Sequence, residues 1–254
     1  MENPTPTPPQ IPPQIQSSEP LRPLIPPLGA TPEERAPISN LMNVIEVILR
    51  QPRRMMFQLR QTGAGRLMGG MLLMSVLCSL IYGVVVGSFS MHQQLWLAPL
   101  KISGGLLFAV LICLPSLYIF ACLCGSQARL AEIIGLVFGS LLLMTLLLIG
   151  FAPIAWLFSQ STNSENWMGT LHLIFWGIAT IFGLRFLHAG FAHSQARSHA
   201  GFNVWVIIFI LVALQMTTAL RPIVGTSDTI LPKEKKFFLT HWADCLKSES
   251  GMRR

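Results

Sequence analysis

The side chains able to do chemistry are few, and most lie inside apolar runs. His172 falls about one turn from the end of one run, and Gln215, Thr217 and Thr218 close another, ahead of Arg221. Polar groups in apolar helices bond across helices when they share a depth. The sharper reading is a small outward-facing polar pocket, lined also by Thr218, in which His172 and Gln215 bond across helices and Arg221 attracts an anionic headgroup or ligand. The plainer one is helix-to-helix hydrogen bonding, with Arg221 reaching toward the surface. Glu132 is set for an ion pair, either with Arg129 one turn away or with Arg185 on a neighbouring run. His188, His193 and His199 share one connection, with Cys122 and Cys124 near enough to approach, but neither spacing is a metal-ligand pattern. His241 and Cys245 form a pair rather than a site. No metal and no cofactor is expected. No nucleophile elbow, zinc-protease, phosphate-loop or dinucleotide pattern occurs in a credible context, so the expectation is a protein that is not an enzyme.

The elements that position these residues follow from composition. Of 254 residues 52% are apolar and 11% charged, against about a quarter charged in soluble proteins. Between Leu67 and Leu220 the only charges are Lys101, Arg129, Glu132, Glu165, Arg185 and Arg197. Five apolar runs, near 67–89, 101–124, 131–158, 167–188 and 203–220, approach or exceed the roughly 20 residues that cross a bilayer as a helix. They are apolar on all sides rather than alternating, which excludes a barrel. The fold class is therefore all-α, a polytopic membrane bundle of about five transmembrane helices. No charge falls at the middle of a run, where insertion costs about 2.5 to 3.5 kcal/mol, and this argues against an ion-coupled pump. The net charge of +7 flanks the apolar runs instead of forming a water-soluble basic face, so nucleic acid is not an expected partner.

Residues 1–38 are too rich in proline for helix or sheet to propagate and read as a disordered arm, serving as a tether or as a ligand for an aromatic groove. Residues 39–62 hold two short amphipathic pieces, one with Leu41, Val44, Ile45, Ile48 and Leu49 on its apolar face, the other beginning at Pro52. They suit the headgroup layer; a hairpin packed on the bundle is the alternative. The bundle occupies 63–225. Residues 226–254 form a tail in which Phe237, Phe238, Trp242, Cys245 and Leu246 suggest another interfacial helix. Arg50, Arg53, Arg54, Arg60 and Arg66 precede the first run and direct the N-terminus to the cytoplasm. Loop charges then alternate, with Lys101 in the first loop, Arg129 in the second, and Arg185 and Arg197 around the fourth. Five spans leave the tail outside, although Lys233, Lys235 and Lys236 favour the inside. Trp96, Trp156 and Trp167 would share the outer interface.

Gly83 with Gly87 and Gly135 with Gly139 are small-xxx-small pairs that let helices approach closely. Pro115 should kink the second span, and Pro153 should end or bend the third.

The strings YGVVVGSFS, LICLPSLYIFACLCG, LLLIGFAPIAWLFSQST and VALQMTTALRPIVG, followed by LPKEKKFFLTHW, resemble an uncharacterised family of bacterial multi-pass inner-membrane proteins with PSLY, WLFSQST and LRPxxG strings in this order. The five-span layout behind an arm is similar in architecture to Yip-type membrane proteins. The resemblance implies a bacterial inner membrane and no particular activity. It marks Pro115 to Tyr118, Pro153, Trp156 and Ser159, and Gln215, Arg221, Pro222 and Gly225. The expected function is that of an organising or accessory subunit, with membrane lipid, other membrane proteins or a second copy as partners. The competing class is a small transporter or channel with an outward-facing polar pocket.

Overall fold

A computed structural model describes residues 26–61, 63–89, 94–161, 165–194 and 200–219. All regular structure among them is helical: α1 (Pro32–Arg35), α2 (Leu41–Arg50), α3 (Pro52–Leu59), α4 (Gly65–Gly87), α5 (Gln94–Leu123), α6 (Leu130–Ser161), α7 (Glu165–Ala192) and α8 (Ala200–Ala219). Four of these, α4 to α7, are long and apolar enough to cross a membrane, and α8 is a shorter apolar helix. The chain is a multi-pass membrane protein. Its outward faces explain why: Leu73, Leu77 and Ile81 of α4, Leu111, Ile112 and Ile119 of α5, and Ile181 and Phe182 of α7 are all exposed. A bundle as apolar outside as inside needs lipid around it.

The central helix is α6. It packs against α4 on one side and α7 on the other, while α5 lies on α4 and α8 on α5. Leu141, Leu142, Thr145 and Leu148 of α6 are fully buried along this seam. Registers are fixed by a few contacts. The Ser140 hydroxyl donates to the Gly183 carbonyl at 2.8 Å between α6 and α7. Trp205 Nε1 donates to the Cys113 carbonyl at 2.9 Å between α8 and α5. Gly83 lies so close to Pro99 that a Cβ there would collide with backbone, so the expected close approach at Gly83 is between α4 and α5. Gly87 is buried on the same helix. Gly135 and Gly139 act differently: they are notches filled by side chains, Leu59 and Met68 at the first, Phe186 and Ile48 at the second.

Several expectations are corrected. The second span begins at Gln94, seven residues before the expected start, so Lys101 lies inside α5 and is buried. Hydropathy put the boundary at the charge, whereas the helix runs on through it. Pro153 does not end α6, which continues to Ser161; its ring is exposed, where the bundle leaves room for it. Pro115, which is exposed, sits inside α5, as does Pro99 nearer its start.

The proline-rich arm is ordered from Pro26 onward rather than disordered to residue 38. Gly29, at φ +83°, turns the chain where a Cβ would meet the Phe57 ring. Its N–H donates to Glu34 Oε2 and its carbonyl accepts from Arg35 Nε, both at 2.6 Å. Gln58 Nε2 donates to the carbonyls of Arg35 and Ala36, and Arg54 donates to those of Ala36 and Pro37. These bonds clasp residues 26–38 onto α3. Residues 1–25 and the tail from 220 onward, with the expected tail helix, lie outside the described residues.

Candidate functional site

Two regions collect the polar and charged side chains, one at each end of the bundle. The N-termini of α4 and α6 and the C-termini of α5 and α7 define the end that carries α1 to α3; the opposite end carries Trp96, Trp156 and Trp167, all exposed.

Toward that opposite end, His172 of α7 meets Tyr82 of α4. The Tyr82 hydroxyl and His172 Nδ1 are 2.8 Å apart, and the rings stand edge to face at 5.7 Å. This pair replaces the expected His172–Gln215 bond. The reason is topological: α7 packs mainly on α6 and α8 mainly on α5, so His172 finds its partner across α6. His172 Nε2 is buried and has no hydrogen-bond partner among the described residues. Reading along antiparallel α5 and α8 from the Cys113–Trp205 bond puts Lys101 level with the turn holding Gln215 and Thr218. The Gly83–Pro99 approach puts Lys101 level with Tyr82 as well. One polar level therefore crosses the bundle, from Tyr82 and His172 to Lys101 and the turn of Gln215. The Thr218 side chain and all of Arg221 lie outside the described residues. A cavity of about 20 Å³ sits nearer mid-depth between α5, α6, α7 and α8, walled by Val110, Leu141, Leu187 and Trp205 among others. Room for about one water does not make a pocket of the expected kind.

At the other end, Glu132 pairs with Arg60, at 3.7 Å, rather than with Arg129 or Arg185, both of which are exposed. Arg60 follows α3, and the hairpin of α2 and α3 carries it to the start of α6. The hairpin is held by apolar packing. Val44, Val47, Ile48, Met55, Met56 and Leu59 are buried in one core with Ile133, Leu136, Val137, Phe186 and Leu187. The alternative reading, a hairpin packed on the bundle, is the arrangement observed. Successive residues of α2 are rotated by about 100°, which sorts its surface into three sectors. Val44, Val47 and Ile48 face the bundle. Leu41, Met42, Ile45 and Leu49 form a second apolar sector, with Met42 77% exposed. Asn43, Glu46 and Arg50 form the third, where Glu46 and Arg50 pair at 3.5 Å. Leu41 also approaches Gly70 of α4, so the second sector continues onto the exposed apolar face of that helix.

The connection between α5 and α6 closes this end. Gly125, at φ +72°, ends α5, and the Ser126 N–H returns to the Ala121 carbonyl. The Ser126 hydroxyl donates to Ser194 Oγ, and the Gln127 N–H donates to the Ser194 carbonyl, tying this turn to the end of α7. Of the weighed metal candidates, His188 stacks edge-on against Phe202 and His193 joins Arg53. No group of three metal-ligating side chains occurs among the described residues. No protein-family model matches the chain, and no curated protein or solved structure matches it.

Proposed function

We propose that this protein is a non-enzymatic organising or accessory component of a bacterial inner membrane, with its hairpin end in the cytoplasm and α2 seated in the headgroup layer. The observation that carries the reading is the three-sector surface of α2. A helix with one face on protein, one apolar and exposed, and one charged belongs where bundle, lipid and water meet. Charge supports the orientation. Arg35, Arg50, Arg53, Arg54, Arg60, Arg66, Arg129 and Arg185 all lie toward the hairpin end, and cationic ends stay in the cytoplasm. The bacterial setting comes from the resemblance of the PSLY, WLFSQST and LRPxxG strings.

A photo-crosslinking side chain at Met42 or Leu49, activated in native membranes, tests this. Adducts with phospholipid or with a neighbouring membrane protein are expected there, and far fewer from position 46 on the charged sector. Equal labelling from all three positions would sink the reading. The buried Lys101 and the Tyr82–His172 pair favour a second reading, a small transporter. Flux through liposomes that is abolished by changes at Lys101 or His172 would establish it in place of the first.

A further inference from the structure

Arg53 stands where the arm, the hairpin and the bundle meet. Its Nε donates to Glu34 Oε1 at 2.6 Å, and its Nη2 donates to the carbonyls of Pro26 and Pro27 at 3.1 and 3.3 Å. Its Nη1 faces His193 Nε2, at the end of α7, at 3.3 Å. Behind that ring, His193 Nδ1 lies 2.8 Å from the Ala189 carbonyl. A carbonyl only accepts, so Nδ1 carries the ring proton. A guanidinium only donates, so Nε2 presents its lone pair to Arg53. Both partners require the same neutral tautomer, and the bond to Ala189 keeps the ring from turning away.

A proton added at Nε2 would set a second donor and a second positive charge against the guanidinium. The charged groups that the clasp brings toward His193 are Arg53 from α3 and, beyond it, Glu34 of α1. The α5–α6 connection bonds Ser194 through uncharged Ser126 and Gln127, and its Arg129 is exposed. Arg197 and His199 lie outside the described residues. The Arg53 hydrogen bond holds the Glu34 carboxyl below the ordinary carboxylate range.

We propose that His193 is a protonation-sensitive latch: neutral, it holds Arg53 and through it the clasp of residues 26–38 against the bundle; protonated, it loosens that clasp. Docking and protonation compete, so each weakens the other by the same factor. The consequence is an arm whose attachment to the bundle responds to the pH at the hairpin end. This inference needs only the clasp geometry and is independent of the function proposed above.

The test is amide exchange of residues 28–36 in the full-length protein in nanodiscs, at about pH 8 and about pH 5, corrected for the intrinsic pH dependence of exchange. The wild type should exchange about tenfold faster at the lower pH, the scale of one charge-assisted hydrogen bond. His193→Gln keeps an acceptor for Arg53 but takes up no proton, and its clasp should stay protected at both values. Glu34→Gln should lower protection throughout yet retain the step. A wild type without the step, or a His193→Gln protein that keeps it, would overturn the latch. If His193→Gln is not recovered folded, Arg53→Gln serves: its clasp should exchange fast at both values, and a surviving step would be equally fatal.

Discussion

The hydroxyl of Tyr82 and Nδ1 of His172 meet at 2.8 Å between two helices that otherwise scarcely touch, α4 and α7, in a region packed with Met144, Leu148, Ala152 and Phe175. Each is the other's partner, so removing one strands a polar group in an apolar core. Interhelical hydrogen bonds in membranes contribute about 0.6 kcal/mol on average and up to about 1.7. Tyr82→Phe should therefore destabilise the bundle by about 1 kcal/mol, read as the shift of a reversible unfolding transition in detergent. A double-mutant cycle with His172→Phe should give a coupling energy of that size, while a cycle of His172→Phe with Gln215→Leu should give none. Strong coupling in the second cycle would reinstate the His172–Gln215 pairing and discard the α4–α7 one.

How far this was legible in the sequence depends on which kind of information each residue carries. Span length and polarity are local properties, so the apolar runs, the exposed Trp96, Trp156 and Trp167, and the shared level of His172 and Gln215 could all be read from residue order. Partner choice is not local. Which helix faces His172 depends on α6 lying between α4 and α7, and no spacing along the chain encodes that. Tyr82 carries no sign of its role in residue order, because its partner lies 90 positions on, across α6. Lys101 was misplaced because hydropathy treats a charge as a boundary, although its long apolar stem lets it enter a helix. The clasp at Gly29 to Pro37 was hidden by proline density. What orders it is a set of carbonyls held by Arg53, Arg54 and Gln58 from α3.

Gly83 makes a sharper prediction than the other glycines. A Cβ on it would collide with the Pro99 backbone, which no rotamer change can clear. Gly83→Ala should cost about 1 to 3 kcal/mol, the range of core overpacking. Gly104→Ala and Gly150→Ala meet nothing and should be neutral or slightly stabilising, since alanine exceeds glycine in helix propensity by up to about 1 kcal/mol. Thermal unfolding of the three variants side by side checks the order. Equal losses would mean that α4 and α5 are not in close backbone contact.

Glu34 gives a prediction in pH. The Arg53 guanidinium, bonded to its carboxylate, lowers its pKa in the folded clasp relative to the free chain. The stabilisation is therefore complete above the ordinary carboxylate value, about 4.3, and is lost as pH falls through the lower folded value. In a His193→Gln background, clasp protection should hold down to the carboxylate range and then fall. Glu34→Gln in the same background should abolish that acid step, and amide exchange at Gly29 and Ala36 would report both.

Trp205 anchors α8 to α5 through one bond to the Cys113 carbonyl, which also accepts from the Ser116 hydroxyl at 2.8 Å in the turn around Pro115. Trp205→Phe keeps much of the ring packing against Phe202 and Phe209 and removes only the donor. Because Ser116 still satisfies the carbonyl, the loss should be about 1 kcal/mol or less. Trp205→Ala should cost about 3 to 5 kcal/mol through the cavity it leaves. Faster proteolysis between α7 and α8 in the alanine variant alone would bear this out, whereas equal effects would mean that the hydrogen bond dominates the packing.

The hairpin separates apolar from ionic docking most cleanly. Leu59 is buried and fills the notch at Gly135, while the Arg60–Glu132 pair next to it spans 3.7 Å with both side chains partly exposed. Ion pairs of that kind contribute about 1 kcal/mol at most, because water and salt screen them. Deleting a buried leucine side chain costs about 2 to 5 kcal/mol. Leu59→Ala should therefore loosen the hairpin strongly, seen as rapid amide exchange across α2 and α3, and high salt should not mimic it. Arg60→Ala should change the same exchange by a factor of a few at most. If salt or Arg60→Ala released the hairpin as fully as Leu59→Ala, charge rather than burial would be what seats α2 and α3 on α6.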